Sequence, residues 1–358
     1  MVVLWHYQHF YLITPDEIAP GFTRSSLPLY SLFWPFYEHG NMAVDMFFVL
    51  SGFVFYFIYS DAIRTKKVSA YNFVILRLSR LYPLHFVTLI FVAIMQIAAL
   101  SSMRTFFVYQ FNDIRHFLLN LCFAQTWGPE YEMSFNGPTW SVSVEILLYA
   151  VFFVLVFAAG RSVVAAFTVM LSGLFMGKQL HGSFSAIGWG LYCFFAGGIC
   201  FLGWERLRCR SGPLLLLVGL MTLALSALGF FYTRTAHNTL SNAFLCGGCF
   251  PAVVFLLAAI QSIRHHTGRS LKVIGDITYA TYLLHFPIQL VVVCVAAYYG
   301  IMIRYGDPST LLIFLAGVIA LSVPTYYFFE RPAQSFFRHH LIPAVKKPVE
   351  TAERALSR

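Results

Sequence analysis

PTWSVSVEILLYAVFFVLVFAA, residues 138–159, is 22 residues long and carries a single charged side chain, Glu145. A helix rises about 1.5 Å per residue, so this stretch is long enough to cross the ~30 Å hydrocarbon core of a bilayer. Working outward from it, further apolar runs fall near 1–13, 40–60, 82–100, 162–179, 184–203, 213–232, 240–261, 278–300 and 309–329, which brings the number to ten. Over the whole chain 59% of residues are hydrophobic and 11% charged, against roughly 25% charged in soluble domains. So little charge excludes a soluble fold. The reading is an all-α, polytopic integral membrane helix bundle of about ten transmembrane helices. It forms one transmembrane domain over residues 1–335, followed by a cytoplasmic C-terminal tail, 336–358.

The net charge of +9 does not point to nucleic acid as a partner, because the Lys and Arg residues sit in short loops between apolar runs and form no continuous basic face. Their placement is topological. With a cytoplasmic N-terminus and ten spans, eighteen of the 24 Lys and Arg fall inside, leaving Arg24, Arg104, Arg115, Lys178, Arg234 and Arg304 outside. The hydrophobic piece 114–127 is too short to cross, and counting it as a span would invert everything after it and put most of the basic residues outside. Segment 101–137 is therefore expected to be external, with a short surface or re-entrant helix. The expected partner is the lipid bilayer of a bacterial inner (plasma) membrane, with both termini cytoplasmic.

The seven cysteines lie mostly within apolar segments and form no disulfide framework. Cys246-Gly247-Gly248-Cys249 has a redox or metal spacing, but no second Cys or His pair stands near it in sequence, and small-residue helix packing is the simpler reading. No basic region precedes the first apolar run, so no cleavable signal is expected. That run has only 13 residues before Thr14-Pro15, a rise of about 20 Å. The expectation is a start lying upstream, or a truncated first helix.

An ionisable group within a span costs several kcal/mol unless it is paired or wetted, which makes each one a functional candidate. The ten-span topology sorts them into two layers. Toward the outer face lie His6, Asp45 and Glu145; near the inner face lie Arg77 and Arg80 before the third span, His285 in the ninth, and Glu330-Arg331 at the end of the tenth. His6 and Asp45 sit at similar depth on consecutive spans, where a carboxylate can hold an imidazole's tautomer for general base work; the alternative is a structural polar pair. His9 lies on nearly the same face, and His6 is preferred as the deeper of the two. Ser141 is four residues before Glu145, so hydroxyl and carboxylate share a helix face. That fits either a nucleophile or a hydroxyl bonded to its own helix. Arg77 and Arg80 fit an anion site for phosphates or an ordinary topology signal. His285 fits a catalytic role or a satisfied core histidine.

These residues carry a family resemblance. Val2-Val3-Leu4-Trp5-His6, Ala43-Val44-Asp45-Met46-Phe47-Phe48-Val49-Leu50-Ser51-Gly52-Phe53, Arg77-Leu78-Ser79-Arg80-Leu81-Tyr82-Pro83, Thr139-Trp140-Ser141-Val142-Ser143-Val144-Glu145 with Tyr149, Ile277 to His285, and Phe329-Glu330-Arg331-Pro332 run in the order seen in acyltransferase 3. The chain resembles that family of bacterial membrane O-acyltransferases. The resemblance implies transfer of an acyl group, usually acetyl from acetyl-CoA, to a hydroxyl of a sugar or cell-envelope polysaccharide, with no metal required. It implies His6 and Asp45 as catalytic, with Ser141 and Glu145 in the signature opening the fourth span. Arg77 and Arg80, with His285, would hold the acyl-CoA donor, and Trp140 and Tyr149 would line the substrate site. The basic residue that the family places some ten residues before the histidine has no counterpart after Met1. Intramembrane His, Asp and Glu also make proton relays, so a transporter or flippase is the rival class, and a non-catalytic descendant of the enzyme is a third.

Overall fold

Polar breaks in the apolar pattern set where the helices start. The computed structural model describes residues 1–14, 17–128, 132–233, 238–263 and 272–342. The basic residues Arg234, Arg264 and Arg269 and the tail from residue 343 lie outside the described residues. In chain order the helices are α1 (Val2–His6), α2 (Tyr30–His39), α3 (Met42–Arg64), α4 (Ala70–Met103), α5 (Ile114–Leu121), α6 (Trp140–Ala159) and α7 (Val163–Gln179). They continue with α8 (Gly182–Leu207), α9 (Gly212–Thr233), α10 (Asn238–Phe244), α11 (Phe250–Ile263), α12 (Lys272–Tyr299), α13 (Pro308–Pro324) and α14 (Arg331–Leu341). Side chains of Ser69, Asp113 and Ser162 accept hydrogen bonds from the backbone N–H three residues on, capping α4, α5 and α7. π-helical turns at Leu245–Cys249 and Thr325–Glu330 join α10 to α11 and α13 to α14.

Among the described residues eight helical stretches are long and apolar enough to cross a membrane, and Val163–Gln179 is a shorter apolar helix. Together they account for nine of the ten apolar runs, and the bundle is the all-α architecture expected. The first run differs: α1 has five residues and continues as a 3-10 turn, Tyr7–Tyr11, then as a strand, Leu12–Thr14, paired with Glu17–Ile18.

Close backbone approach at glycines fixes which helices pack together. A Cβ on Gly52 would lie 1.8 Å from the Phe194 carbonyl oxygen, and one on Gly197 would lie 1.9 Å from that of Val49, so α3 and α8 meet backbone to backbone. Asp45 faces Cys193 and Val49 faces Gly197, a shift of four residues on both helices, so the two run in the same direction. α4 and α12 also run in parallel, because Leu81 meets Tyr279 and Met95 meets Cys294. Second and sixth spans, or third and ninth, are parallel only if 114–127 does not cross. α5 is indeed a helix of eight residues.

Candidate functional site

Among the described residues the site is built from two polar clusters joined by a tyrosine. The first is built around the end of α1. The turn that follows α1 folds the His9 ring onto that of His6 at 4.6 Å, and on the other side the His285 ring of α12 stacks at 4.9 Å with an interplanar angle of 4°. Nδ1 of His6 lies 2.9 Å from Nε2 of His285. Tyr282, His285 and Gln289 are three and four residues apart and so share one face of α12.

The surrounding network assigns the protons. Gln289 Nε2 donates to the His6 carbonyl at 2.8 Å, which turns its Oε1 toward Nδ1 of His9 at 3.1 Å. His9 therefore carries its proton on Nδ1, and its Nε2 accepts from the Tyr109 hydroxyl at 3.3 Å. Both nitrogens of His9 are used structurally. Nδ1 of His285 is buried with no hydrogen-bond partner among the described residues, and the backbone carbonyls that reach the ring are those of Thr281 and Tyr282 in its own helix. A nitrogen facing carbonyls keeps its proton, so Nε2 of His285 is the acceptor of the pair and Nδ1 of His6 donates to it. This leaves a lone pair on His6 Nε2, which makes no hydrogen bond to the described residues. A neutral imidazole in that tautomer is what proton removal from a hydroxyl requires.

The second cluster is arginine and carboxyl. Arg77 is 7% exposed, donates to the Tyr59 hydroxyl, and lies over the Phe55 and Tyr59 rings at 5.1 and 4.8 Å. Arg80 is exposed and lies within electrostatic reach of Glu145 and Glu330. Glu145 is buried and accepts from the Tyr149 hydroxyl, whose ring is stacked on Phe55 at 4.2 Å. The bridge between the clusters is Tyr282. Its hydroxyl donates to the Pro138 carbonyl, so Ser141 Oγ, 2.7 Å away, donates to Tyr282, whose ring lies 5.9 Å from that of His285. Tyr279, which donates to the Leu81 carbonyl near the arginines at 2.6 Å, is six residues before His285, roughly 9 Å along the helix.

Several expectations change. Asp45 does not partner His6: no hydrogen bond joins them among the described residues, and Asp45 Oδ1 instead lies 4.0 Å from the Cys193 thiol. The glycine contacts that seat α3 on α8 turn it that way. His285 belongs with the histidines rather than with the inner arginines, because α12 starts at Lys272, ahead of its apolar run. Arg77 and Arg80 do not precede their helix; they lie about two and three turns inside α4. Tyr149 is buried against Glu145 rather than open to a substrate, whereas Trp140 lines a small cavity with Asn120, Gln125 and Gly137. Ser141 shares a helix with Glu145 but is bonded to Tyr282, and no imidazole hydrogen-bonds to it among the described residues. Tyr282, Gln289 and Tyr109 were not anticipated. The first two carry a signal, since both fall on the helix face of His285.

The arrangement defines a class: a helical protein of membrane-spanning type in which a histidine with an unengaged ring nitrogen is paired with a second histidine, with arginines further along the bundle. The acyltransferase domain model of the Acyl_transf_3 family matches residues 1–327, and the chain belongs to that family. It is 27% identical over 311 residues to the exopolysaccharide production protein ExoZ of Rhizobium meliloti (strain 1021), covering 82% of this chain and 89% of that one. No solved structure matches.

Proposed function

We propose that this chain is an O-acyltransferase moving an acyl group, acetyl the expected one, from cytosolic acyl-CoA to a hydroxyl of a sugar or cell-envelope polysaccharide. It would do so in the bacterial plasma membrane with both termini cytoplasmic. The observation that carries the reading is the unengaged lone pair on His6 Nε2, fixed by His285. Family membership supports acyl transfer, and the similarity to an exopolysaccharide production protein supports the acceptor class.

In this reading the donor's phosphates meet exposed Arg80, while buried Arg77 shapes the layer that Arg80 belongs to. The thioester reaches past Tyr279 and Tyr282 toward the histidines. His6 Nε2 takes the acceptor's hydroxyl proton as the oxygen attacks the thioester carbonyl. The carbon–sulfur bond breaks, and the imidazolium returns the proton to the departing thiolate. Ser141 needs no acyl intermediate, since its hydroxyl is held by Tyr282 and no base is bonded to it; direct transfer is the simpler course.

The test uses full-length protein in lipid nanodiscs with acetyl-CoA and a panel of sugar acceptors, following CoA release and, by mass spectrometry, acylation of the acceptor. CoA release that depends on acceptor is expected, falling ~10²–10⁴-fold in His6→Ala. Acceptor-independent release, or release unchanged in His6→Ala, would overturn the reading. So would proton-coupled movement of a sugar across vesicles with no acyl transfer.

A further inference from the structure

Asp45, displaced from the histidines, has no ion-pair partner among the described residues, and the bond it accepts is a long one from the Cys193 thiol, at 4.0 Å. The Cys246 sulfur lies beside the Cys193 thiol, within 4.8 Å. One carboxylate oxygen and two sulfurs, from α3, α8 and the π-helical turn Leu245–Cys249, all lie within 4.8 Å of one another. We propose that Asp45, Cys193 and Cys246 form a binding site for a divalent d¹⁰ metal ion, Zn²⁺ by preference, in which the ion ties three helices together.

The geometry is near what coordination needs. Zn–S and Zn–O bonds of about 2.3 and 2.0 Å in a tetrahedron put sulfur about 3.8 Å from sulfur and about 3.5 Å from oxygen. Closing from 4.0 Å for the Asp45–Cys193 pair is a shift of about half an ångström, within reach of side-chain rotation. The chemistry is matched: two thiols that lose their protons on binding, with one carboxylate, give three anionic ligands of the kinds zinc takes.

The local structure orients the ligands. The π turn adds a residue to the helical repeat, a device common at functional sites, and places Cys246 in the cluster. Gly247 within the turn makes room for the Tyr192 hydroxyl, whose oxygen a Cβ there would meet at 1.9 Å. The small-residue packing expected of Cys246-Gly247-Gly248-Cys249 is therefore present, and it is what delivers the first cysteine. Cys193 and Cys246 are 0% and 2% exposed, whereas Asp45 is half-buried. The carboxylate is thus the side from which an ion enters and on which a fourth ligand sits.

The experiment titrates purified, metal-stripped full-length protein with Cd²⁺, reading the near-ultraviolet thiolate-to-cadmium charge-transfer band, and repeats the titration with Zn²⁺ competing. One ion per chain is expected. Cys193→Ser and Cys246→Ser should each weaken binding by more than the roughly 10–100-fold that loss of an outer-shell partner costs, Asp45→Asn less so, and Cys249→Ser little. X-ray absorption of the wild-type zinc form, which needs no variant, should give two sulfurs in the shell. Absence of a saturable single site in the wild type, an absorption shell without sulfur, or equal loss in Cys249→Ser would overturn the proposal. In that event the three groups are a chain of weak thiol contacts.

Discussion

Replacing His285 by Leu separates a positioning residue from a structural one. The imidazole at 285 accepts the Nδ1 proton of His6 over 2.9 Å; in the Leu variant that donor is left unsatisfied among stacked rings, and the tautomer is no longer fixed. Leaving a buried donor unpaired costs about 1–3 kcal/mol, which at 1.4 kcal/mol per tenfold corresponds to a fall of roughly 5- to 150-fold in kcat/KM. The acceptor's KM should change little, because what is lost is the readiness of His6 rather than a contact to substrate. His285→Gln should recover part of the rate, since its side-chain oxygen accepts from His6 Nδ1. The decisive measurement is a double-mutant cycle of acyl transfer: on a His6→Ala background the Leu substitution should have almost no further effect, because His285 acts through His6. Additive losses, or full activity in His285→Leu, would refute the tautomer assignment.

Three other expectations follow from the arginine layer and from α5. Arg80→Ala should raise KM for the acyl-CoA donor about 10–100-fold, the worth of a charged hydrogen bond or two. Arg80→Lys should rescue it only in part, since an ammonium cannot bind phosphate bidentately; an unchanged donor KM would reduce Arg80 to a topology signal. Arg77→Ala should instead lower the yield of folded protein, because Arg77 is buried against Tyr59 and Phe55. On α5, His116 is clasped by Asp113 and Glu132, each at 2.8 Å, and the hydrogen bonds from the His116 backbone and side chain hold the Asp113 carboxyl below its usual value of 3.8. A depressed carboxyl adds stability that is present above that ordinary value and lost as pH falls through the folded one. Protection factors over residues 105–127, with the pH dependence of free-amide exchange divided out, should therefore hold from pH 7 to about 4 and fall in more acid solution, with Asp113→Asn removing the step; a flat profile in the wild type would contradict it.

How much of this was legible in the sequence depends on what sets each feature. Apolar length set the spans, and charge placement excluded 114–127 from them; the parallel packing of α3 on α8 and of α4 on α12 agrees with both. The place of Arg77 and Arg80 within a helix, and the level of His285, were misread for one physical reason. Apolar runs record where the hydrocarbon is, whereas α4 and α12 begin well before it, at Ala70 and Lys272. Partners were the least legible. His6 and Asp45 lie on consecutive apolar runs, but adjacency in sequence does not decide adjacency in a bundle. Gly52 and Gly197 decide it by letting α3 and α8 touch through their backbones. Tyr282 and Gln289 could have been read, being three before and four after His285 on one face.

The exchange of Asp45 for His285 as the neighbour of His6 also changes the electrostatics of the reaction. A resting carboxylate beside an imidazole would place a charge inside the bundle at all times, and charges there are expensive. With His285 as a neutral acceptor the same tautomer is held without a resting charge beside His6. In the proposed reaction charge would arise at His6 only while the acceptor's proton is in transit, and would be removed when the thiolate leaves. The arginines stand about 9 Å lower, at the level of Tyr279 on α12, with Arg77 and Arg80 in reach of Glu145 and Arg80 in reach of Glu330. In the proposed reaction a polyanionic donor would be held at that level without disturbing the protonation of His6, so binding the donor and activating the acceptor would fall to different layers of the same bundle.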